Sequence, residues 1–547
     1  MMRGIAILLV FVGVLGVGFV SAQDKSGHVI IGTGKDELGY SVIQTRDGGY
    51  MLVGVRVEDP ITKKMYVVKL DKTGALEWAH VLGRFYPNLE EYGVDLLQTR
   101  DGGYVVVGTT VDEDVTMSVD LLVVKLDSLG AIQWAKKLGG GGDEEVFEVL
   151  EDDDGGLVMV GFSYLEMDTL GSTEPLGLNI LVVKLRPDGD LEWSRLIDEG
   201  VEEFGFSIAK ANDGGFVIAG GALPDYSLPG MYLAKLDENG DLVWSRVLFE
   251  TYGVVGKTVV AVPGRGYVVM GNRVGDFREQ EQRLYLVEVD EDGHLTSAYY
   301  YDIDRDSAEY LGAGDMVALE DGGYAIVATS HDPGDKSKST AVVLRLHKDG
   351  RVAWAHHISS NKSAQLMSVI RAQDSSLVMA GSSISSGRPD WDLWLLKLTP
   401  KGNFPAACMQ ELNPLGAARD TAEDLRVDLA FSGRVFEGRI PAPTPHVMDT
   451  MSIGSSELCG QFFVPEMKEK EENALKLVRL ENWQGWRLDF PDIREEVEIV
   501  VFDVMGHEVF RHRAQNVNRV RIELPRVESV YILKANTEVE QFLYKLY

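Results

Sequence analysis

The sequence predicts an all-β protein, a seven-bladed β-propeller followed by a small C-terminal β-sandwich. Two repeated landmarks predict the propeller. The first is Asp-Gly-Gly-aromatic or a variant of it, which recurs seven times at intervals of 51 to 59 residues. The second is an apolar run that ends in a charged residue and Leu, followed by a turn with Gly and then, in most copies, Trp. The first landmark begins at Asp47, Asp101, Asp154, Asp213, Gly264, Asp321 and Asp374.

Each copy is predicted to hold four short strands, which in the first copy are 40–45, 50–55, 65–70 and 75–82. Asp-Gly between two β-rich runs favours a tight hairpin, because Gly tolerates positive φ. Asp-x-x-Gly is the longer version, a type I turn closed by Gly. A four-stranded antiparallel meander of this length is typical of a propeller blade. We interpret the repeated Trp residues as core wedges between neighbouring blades.

The two ends of the repeat region predict how the ring closes. The seventh copy has three strands, the third at 392–398, and no Trp strand follows it. A spare strand, His28–Gly32, precedes the first copy. We expect this strand to complete blade seven, so that the propeller spans 23–404 and exposed sheet edges are removed.

The N-terminus is predicted to be a signal peptide over 1–22. A short basic start is followed by an apolar run, 4–20, and by small residues that favour cleavage before Gln23. A retained membrane anchor is the alternative. No later stretch is apolar and long enough to span a bilayer, so no transmembrane segment is expected after cleavage.

The net charge of −32, from 85 acidic and 53 basic residues, excludes most nucleic-acid binders. Such a surface repels phosphate backbones.

One face of the propeller is predicted to bind ligands. Turns one–two and three–four of each blade are short and uniform, whereas the loops on the opposite face are long and variable. Function tends to lie in variable loops on a rigid scaffold, and we expect an unknown protein or glycan to bind this long-loop face. Its longest loops are 112–119, 163–178, 275–283 and 331–340.

An acidic residue recurs ten positions before the first landmark in copies one to four. These residues are Glu37, Glu91, Glu144 and Glu203. They predict an acidic crescent at one side of the channel mouth. Two interpretations stay open: a site for a cation or polar ligand, or solvated glutamates kept by shared ancestry of the repeats.

No catalytic constellation is present in the sequence, and we predict that the protein is not an enzyme. The histidines are scattered and no Gly-x-Ser-x-Gly occurs. The acidic runs 152–154 and 290–293 lack the twelve-residue loop of calcium motifs, so no metal is expected. The alternative is a carbohydrate-active hydrolase or lyase that uses Glu91 or Glu144.

The repeat resembles that of secreted bacterial and archaeal propellers of unassigned ligand, and the resemblance covers 28–404. Asp71-Lys72-Thr73-Gly74 is also similar to the tryptophan-docking motif of quinoprotein propellers, Asp-x-x-Thr-Gly-x-x-x-Trp, but is one residue shorter. Those propellers have eight copies and adjacent cysteines, which this chain lacks, so no cofactor is expected. A related outer-membrane assembly scaffold is a further alternative.

The C-terminal region, 475–547, follows a charged linker, 466–474. Its segment Ile499–Val509 resembles the Val-Tyr-Asp-Leu-x-Gly-Arg-x-Val signature of type IX secretion sorting domains, and Val530–Leu533 with Lys545 resembles their closing pattern. The resemblance implies a small β-sandwich that engages the secretion machinery and directs export through the periplasm and the outer membrane. The protein would then be secreted or held at the cell surface.

Residues 405–465 are predicted to form an irregular wrap pinned to the propeller. They contain both cysteines, Cys408 and Cys459. An even pair in an exported protein predicts a disulfide, with two reduced thiols as the alternative. Closing a loop of about fifty residues stabilises by roughly 4 kcal/mol in the chain-entropy model.

Overall fold

The computed structural model describes the blades almost completely and, beyond residue 403, only strands. It covers 27–403, with the exception of 84–89, 113–117, 140–141, 166–176, 199–201, 224–227, 250–252, 275–281, 303–309, 333–334, 359–362 and 385–389. The predicted signal peptide and the Cys408–Cys459 disulfide lie outside the described residues. The chain divides into two units, Met1–Val464 and Pro465–Tyr547.

Seven antiparallel sheets make up the first unit, which confirms the seven-bladed propeller. Every regular element among the described residues is a β-strand. No helix in this part of the chain could cross a membrane. The blade strands are β1 (Gly27–Ile31), β2 (Asp36–Gln44), β3 (Tyr50–Asp59), β4 (Thr62–Leu70), β5 (Leu76–Gly83), β6 (Glu91–Gln98), β7 (Tyr104–Asp112), β8 (Ser118–Leu126), β9 (Ile132–Leu138), β10 (Asp143–Glu151), β11 (Leu157–Leu165), β12 (Gly177–Leu185), β13 (Leu191–Asp198), β14 (Glu202–Lys210), β15 (Phe216–Leu223), β16 (Gly230–Leu236), β17 (Leu242–Phe249), β18 (Gly253–Val262), β19 (Gly266–Val274), β20 (Gln282–Val289), β21 (Leu295–Asp302), β22 (Tyr310–Ala318), β23 (Tyr324–Asp332), β24 (Asp335–Leu346), β25 (Val352–Ile358), β26 (Ser363–Arg371), β27 (Leu377–Ile384) and β28 (Asp392–Leu398).

The ring is closed by strands from both ends of the repeat region. Strand β1 pairs with β28 as the fourth strand of blade seven, with Ile30 opposite Trp394. The Trp394 indole nitrogen lies 3.0 Å from His28 Nδ1 across this pair. The first strands of the blades, β2, β6, β10, β14, β18, β22 and β26, contact one another in a closed circle. These seven strands therefore surround the central channel.

The hydrophobic core lies between adjacent blades. One cluster joins Met51 and Val53 of blade one to Leu122 and Val124 of blade two, all of them fully buried. The third strand of a blade is covered on both faces, which is why its sequence is an unbroken apolar run.

The two sequence landmarks contact each other within a blade. The charged residue that ends the apolar run reaches back to the Asp of the first landmark, at 2.9 Å between Lys69 Nζ and Asp47 Oδ2 in blade one. Blade five has Glu288 and Arg265 instead, 3.0 Å apart, so the charges are exchanged between the two landmarks. The remaining pairs are Lys125–Asp101, Lys184–Asp154, Lys235–Asp213, Arg345–Asp321 and Lys397–Asp374.

The repeated Trp contacts the second landmark of the next blade and so lies between neighbouring blades. A Cβ added to Gly130 would lie 2.9 Å from the Trp78 ring. Blade five has Ser297 in place of Trp, and there Tyr299 and Tyr301 approach Gly350 of blade six.

Six short strands follow the propeller and form what we call the belt, the described strands of 410–452. Each pairs antiparallel with the outermost strand of one blade, over two to four residues, in reverse order from blade six to blade one. The belt strands are β29 (Gln410–Glu411), β30 (Ala418–Thr421), β31 (Arg426–Val427), β32 (Arg434–Glu437), β33 (Thr444–Pro445) and β34 (Asp449–Ser452).

The second unit is an antiparallel sheet with the order β35-β36-β38-β39, in which β36 also pairs with β37. The motif that resembles the sorting signature covers the end of β36 and the start of β37, which form a hairpin. Its strands are β35 (Lys476–Arg479), β36 (Trp486–Asp503), β37 (Glu508–Ile522), β38 (Tyr531–Thr537) and β39 (Gln541–Leu546).

One predicted loop is largely strand. Residues 331–340 were expected to belong to the variable loops of the long-loop face. Instead β23 and β24 extend beyond the blade body, with His331 opposite Ser339 and Asp332 opposite Asp335. The other three long loops lie largely outside the described residues.

Candidate functional site in the central channel

Every first strand carries a β-bulge near its middle. The register of blade one skips Tyr40, between Gly39 and Ser41, and the other six blades skip one residue at the same place. A bulge leaves one residue unpaired and re-aims its side chain, often near functional sites. The bulge residues lie on the innermost strand of each blade, whose inner edge has no described pairing partner, so they lie next to the channel. They are Tyr40, Val94, Phe147, Phe206, Lys257, Gly314 and Met367.

The residue after each bulge is polar and connects its blade to a neighbouring blade. Val149 and Ile208 donate their backbone N–H groups to Asp95 and Glu148 of the preceding blade, at 3.0 and 2.7 Å. Asp315 accepts in the same way from Val369, at 2.9 Å. These polar side chains therefore form an inner ring that holds the blades in register. Its members are Ser41, Asp95, Glu148, Ser207, Thr258, Asp315 and Ser368.

Three carboxyl groups of this inner ring have raised pKa values. Desolvation raises the pKa of Asp95 and of Asp315 to about 6. It raises the pKa of Glu148 to about 8, with a further contribution from the negative charges of Asp95 and Asp315. Charged carboxylates disfavour one another at short range, so Glu148 holds its proton at neutral pH.

Three consecutive bulge residues form a cluster, Phe147 of blade three, Phe206 of blade four and Lys257 of blade five. The two Phe ring centroids are 4.9 Å apart, with an interplanar angle of 59°. Lys257 Nζ lies 3.4 Å from the Phe206 ring centroid, within the range of a cation–π contact. Desolvation lowers the pKa of Lys257 to about 8. The cluster is an apolar wall with one cationic group.

The four predicted site glutamates do not form an open crescent. They lie inside the first strands β2, β6, β10 and β14, and their side chains are buried. We expected them on the exposed long-loop face. A sequence does not show which partners a neighbouring blade brings to a charged side chain, so their burial was not predicted. The role of Glu37, Glu91, Glu144 and Glu203 in binding stays a prediction.

Glu91 shows how such a carboxylate is accommodated. Its Oε2 lies 3.6 Å from Nζ of Lys64 in the preceding blade, and Thr110 donates to its Oε1 at 3.1 Å. Glu144 accepts from the Ser163 hydroxyl at 3.0 Å. The Lys64–Glu91 pair joins two blades, whereas the Thr110 and Ser163 contacts lie within one blade each.

Glu37 lies at the junction of blades one and seven. Arg56 Nε lies 3.4 Å from Glu37 Oε1, and the Thr33 backbone N–H donates to Glu37 Oε2 at 3.3 Å. Desolvation nevertheless raises the pKa of Glu37 to about 8, and the charge of Asp392 adds to this shift. Glu37 is therefore mostly protonated at neutral pH.

One group of possible metal ligands, Asp290, Asp292 and His294, lies on the hairpin between β20 and β21. Asp290 Oδ1 accepts the backbone N–H groups of Asp292 and His294, at 3.0 and 2.8 Å. Asp71 Oδ1 caps the matching hairpin of blade one with the same two bonds. The arrangement is that of a hairpin turn.

The bulge residues were not predicted from the sequence, although the repeat contains a signal for them. They occur seven positions before the first landmark in every copy, and they vary widely in chemistry. The next position is always Ser, Thr, Asp or Glu. A repeat position of variable chemistry that is followed by an always polar position therefore indicates a bulge residue next to the inner ring.

No protein-family model matches the sequence, and no curated protein resembles it at a significant level.

Proposed function

We propose that this chain is an exported binding or structural module, and that its ligand reaches the channel from the long-loop face. The observation that carries the proposal is the asymmetric cluster of Phe147, Phe206 and Lys257 on an otherwise repetitive scaffold. The Asp–Lys pairs, the Gly–Trp contacts and the inner ring account structurally for the regular positions of the repeat. The variable bulge positions and the variable loops are left to contact a ligand.

Export is the second part of the proposal. The N-terminal signal peptide would be cleaved before Gln23, and the C-terminal unit would act as a type IX sorting domain with a β-sandwich fold. The antiparallel pairing of the two strands that carry its signature supports this assignment. In a host with that secretion system, the protein is expected at the cell surface or in the medium, with Gln23 at its N-terminus. Retention in the cytoplasm or inner membrane would contradict export.

The ligand is expected to be a protein segment or a glycan, and arrays of both test the proposal. The full mature chain is applied to glycan and peptide arrays beside a Phe206→Ala variant and a Leu129→Ala variant. Leu129 is 79% exposed on the opposite face, so its variant is the matched control. We expect hits that the Phe206 variant loses and the Leu129 variant keeps. Silence across both arrays, together with hydrolase or lyase turnover, would overturn the proposal.

The alternative function, a carbohydrate-active hydrolase or lyase, is not supported by the positions of Glu91 and Glu144. Glycoside hydrolysis needs two carboxyl groups that reach the substrate. Glu91 and Glu144 are buried and occupied by Lys64, Thr110 and Ser163.

The disulfide between Cys408 and Cys459 is also proposed. The exported protein is alkylated before and after reduction, and its intact mass is measured. We expect label on both cysteines only after reduction. Labelling without reduction would show that the thiols are free.

A further inference from the structure

Among the residues that the structure describes, Lys257 has no anionic partner, unlike the buried lysines of the blades. Each fully buried lysine lies within salt-bridge distance of a carboxylate, with distances such as 2.8 Å for Lys125 to Asp101. No described residue provides a carboxylate or a hydrogen-bond acceptor to Lys257, and its recorded partner is the Phe206 ring. The paired lysines are Lys64, Lys69, Lys125, Lys184, Lys235 and Lys397.

An ammonium group in this position is incompletely compensated. A cation–π contact replaces only part of the hydration that a desolvated ammonium loses. Its depressed pKa reports the same deficit. A bound anion would supply the missing charge.

The surroundings of Lys257 restrict the shape of that anion. Phe206 contacts Phe147 on one side and Phe204 on the other, with centroids 4.9 and 5.1 Å away. Phe162 extends the wall at 5.9 Å from Phe147. Tilted rings of this kind pack well against the edge or face of another flat apolar group.

The inner ring restricts the charge of the anion. Asp95, Glu148 and Asp315 lie in the residue row next to the bulges. The negative charges of Asp95 and Asp315 disfavour a doubly charged phosphate monoester more than a singly charged group. A carboxylate is a singly charged group that accepts a short, charge-assisted hydrogen bond from a lysine ammonium.

We propose that Phe147, Phe206 and Lys257 bind a small monocarboxylate with a flat apolar body. This inference rests on the binding function proposed above, and it adds a small ligand to the protein segment or glycan proposed there. The carboxylate meets Lys257 Nζ, and the apolar body packs against the two Phe rings.

Calorimetric titration of the full mature chain with phenylacetate tests this site. We expect phenylacetate to bind at least tenfold more tightly than phenylacetamide, which lacks the charge, and than acetate, which lacks the ring. Lys257→Met is expected to weaken binding of phenylacetate at least tenfold, and Phe206→Leu several-fold. Lys72→Met, on an exposed hairpin, is the matched control and keeps the parent affinity.

Lys257→Arg keeps the charge and is expected to bind within a few-fold of the parent, so the site stays testable if Lys257→Met fails to fold. The proposal is overturned if phenylacetate gives no binding, if the amide binds equally well, or if Lys257→Met folds and binds like the parent. Array hits that persist while phenylacetate fails would reject this ligand class alone. Loss of both would reject the binding function as well.

Discussion

Gly130 and Trp78 show at the residue scale why the second landmark recurs. Gly130 has a φ of +86°, which favours glycine, and a Cβ would lie 2.9 Å from the Trp78 ring. The turn of one blade thus provides the flat surface on which the Trp of the preceding blade lies. The recurrence of Trp at fixed spacing predicted its place between blades, but it did not identify the glycine of the next blade as its partner.

The Gly130→Ala substitution is expected to cost about 2–4 kcal/mol, the sum of backbone strain and overpacking against Trp78. Gly102→Ala is the matched control, because Gly102 has a φ of +89° but nothing within 4 Å of a built Cβ. It should cost only about 1 kcal/mol. Urea denaturation of both variants measures the difference. Equal midpoints would show that the Trp contact adds nothing.

The Asp213–Lys235 pair is expected to respond unequally to removal of its two partners. Lys235 is 8% exposed and Asp213 61% exposed in their side chains. Asp213→Ala leaves a buried ammonium without a carboxylate and should cost about 1–3 kcal/mol. Lys235→Met leaves a solvated carboxylate and should cost less than about 1 kcal/mol. Denaturant midpoints of the two variants measure the asymmetry, and the reverse order would contradict it.

The first strand is the element in which sequence and structure differ most. The sequence places the first strand of blade one at 40–45, whereas β2 runs from Asp36 to Gln44. Two features hid its beginning. A charged Glu37 favours a loop when its partners, Thr33 and Arg56, are not known to surround it. The bulge at Tyr40 also breaks the alternation of buried and exposed residues by which strands are recognised.

The strands with uninterrupted patterns were easier to place. The apolar third strands and the glycine turns depend on local sequence, so their positions followed from the repeat. The cluster of Phe147, Phe206 and Lys257 did not, because it joins three bulges from three blades. Its members are about fifty to sixty residues apart and become neighbours only when the ring forms.

Carboxyl groups of the propeller with shifted pKa values predict how its stability depends on pH. Where folding raises the pKa of a carboxyl group, that group's contribution to the free energy of unfolding falls as pH rises from the unfolded to the folded pKa. Glu148 and Glu37, with unfolded values of 4.5 and folded values of about 8, should therefore destabilise the protein progressively over that window. Asp47 and Asp101, lowered from 3.8 to about 2, have the opposite sign and lose their contribution as pH falls. Maximal stability is expected near pH 4.

Thermal unfolding across pH 2–9 measures this profile. Glu148→Gln removes one titrating group and should flatten the decline between pH 4.5 and 8. Asp47→Asn is the matched control, which should flatten only the acid side. A Glu148→Gln profile parallel to the parent above pH 4.5 would contradict the assignment.

At the scale of the whole molecule, the belt covers the outer edges of six blades. Exposed strand edges pair readily with other chains. The sequence predicted an irregular wrap over 405–465, but it gave no indication of six separate strands. Pairs of two to four residues are too short to leave a periodic pattern.

Truncation after Asn403 is therefore expected to cause self-association, because the outer edges of six blades become available. Truncation after Val464 keeps the belt and is the matched control. Light scattering of the two proteins at equal concentration measures the difference. A monomeric, folded product of the shorter chain would show that the belt does not protect these edges.

The belt also has a mechanical consequence. Its strands run backwards around the propeller, so a pull on the chain beyond Ser452 loads β34 first and the others in turn. Each strand is held by two to four residue pairs, whereas a blade strand is held by far more. Residues 410–452 extend to roughly 150 Å at about 3.5 Å per residue. Under tension at the C-terminus, the belt strands would detach one at a time. The chain would then lengthen in small steps while the seven blades stay folded.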